Sequence, residues 1–189
     1  MGEPDLVAQA LVAARRSGFH RVLQSTLAHA ALCQAVRGRR TEAMRLLVEL
    51  DEDWGRTRMI PFAEWVPAVG HVAAVLGPDA ARLVRDMLDR APRMTPWAKA
   101  AGQVADATLA LADGDARSAS RLFRAAADSY ARMTDTTDHV LATALSVRAL
   151  ALADPAQAAV TLDRVRDFAD RNGMPGLLRL AAPATADQP

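Results

Sequence analysis

The sequence predicts an all-α fold built as an α-solenoid of stacked antiparallel helical hairpins, with about nine helices. Apolar residues recur at helical spacing along nearly the whole chain, and no stretch of useful length alternates like a strand. Glycine, proline and capping residues separate these stretches and leave only short links between them. The same pattern of small and apolar residues also returns at a nearly constant period, which is typical of repeat proteins.

The composition predicts a core of small and aliphatic side chains. Of the 189 residues, 51% are hydrophobic but only 4% are aromatic. Because each alanine buries little surface, stability must come from many small contacts, at ~25 cal/mol per Å² of buried apolar area. We expect one helical-repeat domain over residues 1–182 and a disordered tail over residues 183–189.

Charge and cysteine content argue against several classes of protein. The formal net charge is +1 and the basic clusters are interleaved with acids, so we expect neither nucleic acid nor a membrane as partner. The single cysteine, Cys33, excludes an intramolecular disulfide and fits a reducing compartment. The N-terminus lacks the pattern of a secretory signal, and no stretch approaches the ~20 apolar residues of a membrane span. The predicted location is therefore cytoplasmic.

Nine helices are predicted from apolar periodicity bounded by start and stop signals. Thr95-Pro96 and Asp154-Pro155 are cap-plus-proline starts for the sixth and the ninth. Pro67 falls inside the fourth, and since proline lacks the N–H that a continuous helix uses, we expect a kink or a late start there. The predicted helices span residues 5–17, 20–37, 41–54, 61–76, 78–91, 96–113, 116–133, 136–153 and 155–171, and a half-helix follows at 177–180.

Residues 97–133 form the best-preserved of the predicted hairpins. Gly114 can take the positive φ that ends the first helix, and Asp115 can cap the second. The link is too short for anything but antiparallel neighbours. On the second helix, Arg124 and Asp128 are four residues apart, so we expect them to be able to pair along it. An isolated pair of helices would leave one apolar flank exposed, and it therefore needs copies of itself stacked on either side.

Small residues recur in register in four such hairpins. Each later helix carries an early alanine, followed by apolar residues four and seven positions on, and the spacings between these alanines are 37, 39 and 39 residues. A second small residue lies twelve positions before each alanine. We interpret these eight positions as the points where paired helices approach most closely. The early alanines are Ala43, Ala80, Ala119 and Ala158, and the preceding small residues are Ala31, Ala68, Ala107 and Ser146.

This register resembles the tetratricopeptide repeat, whose marks are a small residue on the first helix, an early alanine on the second, a large apolar residue four later and a small or apolar one three after that. The resemblance covers nearly the whole chain, although the repeats are a few residues longer than the usual ~34. The run RRSGFHRVL…LAHAALCQAVRGRRTEAMRLL is also similar to the helical-repeat regions of actinobacterial signalling ATPases and transcription regulators. The family's aromatic on the first helix is replaced by Gln34, His71, Ala110 and Ala149.

The resemblance implies a non-catalytic protein-interaction or scaffold module, in signalling or regulation, that needs no cofactor. Its partner would be a protein or peptide with an apolar or helical segment, or another domain of a larger assembly, held in an apolar concave groove. The alternative is that the superhelix is tight and these side chains are core. The implied groove residues are Ser25, Ala28, Leu32, Phe62, Trp65, Val69, Val104, Thr108, Leu111, Val140, Thr143 and Val147.

A second hypothesis is a ligand-sensing regulatory domain, with a small-molecule pocket between hairpins at His29, Cys33, Trp65 and His71. His29 and Cys33 are four residues apart and can face one metal ion, which would suit a metal-dependent helical enzyme. No second pair stands at ligand spacing, however, so we expect no metal. No G-x-S-x-G turn and no glycine-rich phosphate loop occurs, so we expect no enzyme.

Overall fold

The computed structural model describes residues 5–60 and 63–181, and this part of the chain is all-helical with no strand. The all-α prediction is therefore confirmed. Ten helices follow one another in these ranges, one more than expected, because the predicted half-helix is a separate short helix. They are α1 (Leu6–Ser17), α2 (His20–Val36), α3 (Arg40–Thr57), α4 (Val66–Leu76), α5 (Pro78–Asp89), α6 (Pro96–Ala112), α7 (Ala116–Arg132), α8 (Thr136–Ala153), α9 (Pro155–Asn172) and α10 (Gly176–Ala181).

Local capping chemistry sets half of the helix starts in the described residues. A capping side chain accepts a hydrogen bond from a first-turn N–H in five helices, which satisfies a backbone donor that has no partner within the helix. Gly18 and Gly173 end α1 and α9 in the left-handed conformation, at φ 71° and 64°. The predicted tail at 183–189 lies outside the described residues. The five capping residues are Asp5, Thr95, Asp115, Asp135 and Asp154.

The end of α3 differs from its prediction. The helix continues to Thr57, past residue 54, and stops at Arg58, which adopts a left-handed φ of 46°. The extra turn is stabilised by tertiary contacts, since Trp54 is only 2% exposed and its indole Nε1 donates to the carbonyl of Met59 at 2.8 Å. Burial of the indole therefore accounts for the continuation of α3 past its predicted end at residue 54.

The proline in the fourth predicted helix produces a late start. Helix α4 begins at Val66, which places Pro67 in its first turn, where the missing N–H has no intrahelical partner to lose. Nine of its eleven residues, from Val66 to Ala74, are buried. A helix buried on nearly every side must lie inside the structure rather than on it.

Contacts between helices place α4 at the centre. Consecutive helices α2 and α3, α6 and α7, and α8 and α9 pack together, and α4 packs on α2, α5, α6 and α8. The short α10 packs on α8, α9 and α2. No helix among the described residues is both long and apolar enough to cross a membrane.

The core consists of two hydrophobic clusters. The first is centred on α2 to α5 and includes Leu47, Trp54 and Trp65, while the second is centred on α6 to α9 and includes Phe123 and Tyr130. All eight small residues of the predicted register are buried, with at most 7% of their surface exposed. Small side chains at these positions allow the helix backbones to come close. The eight are Ala31, Ala43, Ala68, Ala80, Ala107, Ala119, Ser146 and Ala158.

A buried carboxylate joins α2 to the end of α3. Asp53 is 1% exposed, and its oxygens lie 2.9 Å from His20 Nδ1, 3.0 Å from Gln24 Nε2 and 3.1 Å from an Arg56 guanidinium nitrogen. Burial alone would raise the pKa of Asp53, but the hydrogen bonds from Gln24, His20 and Arg56 outweigh it and hold the pKa below its ordinary value. The charge of Asp53 is thus stabilised by protein donors instead of water.

This network predicts a pH-dependent contribution to stability. Because the folded pKa of Asp53 lies below the unfolded one, the carboxylate stabilises the fold above pH ~4 and loses that effect as the pH falls through the folded pKa. Asp53→Ala is expected to lower the free energy of unfolding by about 2 kcal/mol near neutral pH, with a smaller difference from wild type in acid. Urea unfolding across that pH range measures both, and Glu52→Ala, an exposed neighbour, is the control. If Asp53→Ala is less stable than the wild type by the same free energy at every pH, the charge of Asp53 does not stabilise the fold.

Candidate functional site

The predicted groove residues divide between the core and a half-buried surface. Trp65, Val69 and Val104 have no exposed surface, and Trp65 packs edge-on against Trp54 with ring centroids 6.2 Å apart. A partner cannot touch these three side chains without opening the helix packing. The buried members of the set are Ala28, Trp65, Val69, Val104, Thr108 and Val147. The half-buried members are Ser25, Leu32, Leu111, Val140 and Thr143, and Phe62 lies outside the described residues.

Packing between distant helices accounts for this burial. Helix α4 packs on α8 as well as on α2, α5 and α6, so that neighbouring helices surround it. Val69 and Val104 are therefore covered by neighbouring helices. At the buried positions, the structure favours the alternative in which these side chains belong to the core.

The four residues of the alternative pocket do not line one cavity. His29 and Cys33 are exposed and line an open groove of about 360 Å³ between α1 and α2, beside Leu6. The Nδ1 of His29 lies 2.8 Å from the carbonyl of Ser25, one turn back on its own helix. Trp65 and His71, by contrast, are 0% exposed. A small molecule in the groove would meet His29 and Cys33 alone of the four.

His71 belongs instead to a buried polar cluster that joins α4, α7 and α8. Its Nε2 lies 3.0 Å from Asp138 Oδ1, and its ring centroid lies 5.8 Å from that of Tyr130. Asp135 caps α8 by accepting a hydrogen bond from the backbone N–H of Asp138 at 3.1 Å. His71 and Tyr130 have no exposed surface, so a substrate cannot reach them. The cluster is best described as a polar cross-link within the core.

The pKa values of the three acidic groups in this cluster, Tyr130, Asp135 and Asp138, are shifted in different directions. Burial raises the pKa of Tyr130 well above its ordinary value, and the negative charges of Asp138 and Asp135 raise it further. Burial also raises the pKa of Asp135, with the adjoining Asp138 carboxyl adding to the rise. Burial would raise the pKa of Asp138 as well. The hydrogen bond with His71 opposes this effect, and the pKa of Asp138 lies below its ordinary value. The negative charge therefore rests on Asp138, and Tyr130 stays neutral.

An open cleft of about 410 Å³ lies between α7 and α9, with α8 as its floor. Both flanking helices pack on α8 without packing closely on each other, and this separation creates the opening. The floor residues follow one another at steps of four, three and four along α8, which puts them on one face of the helix. These floor residues are His139, Thr143, Ser146 and Leu150.

The walls of the cleft carry an excess of positive charge. Arg124 and Asp128 come from α7, and Arg164 and Arg171 come from α9. Arg124 and Arg164 form no hydrogen bond or ion pair with any described residue, and neither does Asp128. The expected pairing of Arg124 with Asp128 is thus not formed. Since guanidinium groups bind carboxylates and phosphates strongly, the two arginines are free to bind an anionic ligand.

Apolar and hydroxyl side chains complete the lining. Leu150, Val165 and half-buried Phe168 supply apolar surface at the inner part of the cleft. The hydroxyls of Thr143 and Thr161 donate to carbonyls one turn back on their own helices, at 2.8 Å each. The cleft can therefore hold an amphipathic ligand by apolar contact at its base and by charge at its rim.

Sequence reasoning found little of this site. Val140 and Thr143 of the predicted groove line the cleft, but of the arginines on its walls only Arg124 was predicted to have a role, as a partner of Asp128 along its own helix. A local signal exists, because Thr161, Arg164 and Phe168 share one face of α9 at spacings of three and four. That signal does not reveal that α7 stands opposite. Comparisons of the chain with protein-family models, with curated proteins and with solved structures find no match.

Proposed function

We propose that this chain is a non-catalytic binding module of the tetratricopeptide-like type, which holds a segment of a partner protein in the cleft between α7 and α9. The observation that carries the proposal is the open cleft above α8, flanked by walls whose arginines Arg124 and Arg164 have no partner among the described residues. Ligand sites typically combine an apolar concave surface with a few polar groups that fix orientation.

The helix arrangement supports a repeat architecture. Consecutive helices pack in pairs across links of three residues, such as 37–39 and 113–115, and the eight small residues of the register are buried. These features are those of stacked hairpins, in which the surfaces between neighbouring hairpins serve as binding sites. The predicted groove along the first helices is then replaced by the cleft between α7 and α9. These two helices are the second helices of neighbouring hairpins, and α8 forms the floor between them.

The dimensions suit a peptide segment. From His139 to Leu150 the floor spans twelve residues, and the eleven steps between them cover about 16 Å along a helix axis. That length accommodates about three helical turns of a partner. Apolar anchors of such a helix would contact Leu150, Val165 and Phe168, in the helix-in-groove mode by which many helical modules recognise their partners.

The chemistry of the lining favours binding over catalysis. The one histidine of the cleft, His139, has its Nδ1 2.9 Å from the carbonyl of Ala127. The hydroxyls of Thr143, Ser146 and Thr161 all donate to backbone carbonyls of their own helices. A nucleophilic hydroxyl needs a base within hydrogen-bonding reach, and no such pair exists among these residues.

A cleft-blocking substitution tests the proposal. Thr143→Trp places an indole on the floor, and Ala151→Trp, at an exposed position of the same helix, is the matched control. A displayed library of random peptides is selected on the wild type, and the selected peptides are then assayed on both variants. We expect selected peptides to lose about tenfold or more in affinity for Thr143→Trp and to bind Ala151→Trp like the wild type. Peptides that bind all three proteins equally, or a library that yields no binder, would overturn the proposal.

A further inference from the structure

We infer that the segment held in this cleft is acidic: a short amphipathic helix whose carboxylates bind Arg124 on one wall and Arg164 on the other. The inference rests on the proposed function, because it names the chemistry of the ligand that the same cleft takes. It specifies one occupant, a peptide rich in glutamate or aspartate.

The charge of the lining is the first argument. Three arginines and a single aspartate face the cleft. Arg171 donates through Nε to the carbonyl of Asp167 at 3.1 Å, whereas Arg124 and Arg164 have no partner among the described residues. Two guanidinium groups without a partner, on opposite walls of one cleft, favour a ligand that brings negative charge.

The distribution of the cleft residues favours a helix over a phosphate-bearing ligand. The arginines stand on opposite walls, and the base between them is apolar at Leu150, Val165 and Phe168. An amphipathic helix can present leucines to that base and carboxylates to both walls at the same time. A nucleic-acid backbone would need a continuous basic track, and the cleft offers arginines only at separate points on its two walls.

The experiment compares two synthetic peptides. The first is a fluorescein-labelled helical peptide of about 15 residues, with leucines along one face and glutamates along both flanks. Its twin replaces every flanking glutamate with glutamine. Fluorescence anisotropy measures the affinity of both for the wild type and for Arg124→Gln, Arg164→Gln and Arg117→Gln. Arg117 is the control, because it lies on α7, is exposed and does not line the cleft.

The expected result is a charge-specific loss of affinity. The glutamine twin should bind at least tenfold more weakly than the acidic peptide, and Arg124→Gln and Arg164→Gln should each weaken the acidic peptide by roughly tenfold. Arg117→Gln should change its affinity by less than about twofold, and Thr143→Trp should abolish binding. Thermal unfolding of each variant shows whether it is folded, and the exposure of all three arginines makes an unfolded variant unexpected.

Three results would overturn the inference. If both peptides bind equally and Thr143→Trp blocks both, the cleft does not prefer an acidic ligand, and the proposed function stands. Binding of the acidic peptide that is indifferent to Arg124, Arg164 and Thr143 would place it outside the cleft. Binding of polyuridylate with the same dependence on Arg124 and Arg164, and no binding of the peptide, would assign the cleft to a phosphate ligand. If the random library also fails, the proposed function falls with it.

Discussion

Replacing Gly70 by valine is expected to lower the free energy of unfolding by about 3 kcal/mol. Gly70 lies on α4, and a Cβ added there would come within 3.0 Å of the Ala101 Cα and 3.2 Å of the Ala101 carbonyl oxygen on α6. Backbone atoms cannot rotate away from this contact. The two helices would have to separate, and that separation would loosen the buried side chains on both sides of α4.

The measurement is equilibrium unfolding in urea, with a graded series and a matched control. Gly70→Ala should cost less than Gly70→Val, since alanine adds one atom in the tight space and valine adds three. Gly102→Ala on α6 is the control, because its Cβ would come too close only to the movable end of the Arg85 side chain and would meet Leu88 Cδ1 at an ordinary 3.8 Å. Removing a helical glycine there should be neutral or stabilising by up to about 1 kcal/mol. Wild-type stability of Gly70→Val would refute the close approach of α4 to α6.

Asp138→Ala is expected to cost about 3 kcal/mol of unfolding free energy. His71 is completely buried, and its only hydrogen-bonding neighbour among the described residues is Asp138, at 3.0 Å from Nε2. Without that carboxylate both ring nitrogens would be buried with no partner. An unsatisfied polar group in the core loses its hydration without compensation, which is why removal of one partner costs more than the hydrogen bond contributes.

A double variant separates this cause from a simple loss of packing. In His71→Phe/Asp138→Leu both polar groups are gone, and a phenyl ring occupies the space of the imidazole beside Tyr130. We expect this variant to lie within about 1 kcal/mol of the wild type by thermal and urea unfolding. A double variant as unstable as Asp138→Ala would show instead that the loss arises in the first turn of α8, where Asp138 favours the helix N-terminus.

Helix starts were predictable because capping is local chemistry. Thr95, Asp115 and Asp154 each accept a first-turn N–H, as their spacing to the apolar run predicts. The end of α3 was not predictable in the same way. Its last turn exists because Trp54 is buried against Trp65, eleven residues further along the chain, and that contact is invisible to a local pattern.

The predicted groove residues show a second limit of prediction from the sequence. Leu32, Val69 and Val147 each follow a small residue of the repeat register by one position, yet Val69 and Val147 are core while Leu32 is half-buried. Periodicity tells which residues share a face, but it does not tell whether a second helix covers that face. Contacts of α4 with α8 and of α10 with α2 decide this, and both join residues far apart in sequence.

By itself the sequence determined the helical class, the existence of nine of the ten helices of the described residues, and the eight small positions that the structure buries, but not the end of α3. Only the tertiary structure decided which surfaces stay open: it closed the space around Trp65 and His71 and left the cleft bounded by Arg124 and Arg164. The physical reason is that hydrogen bonding within a helix depends on near neighbours, whereas exposure depends on which distant helix packs against each face.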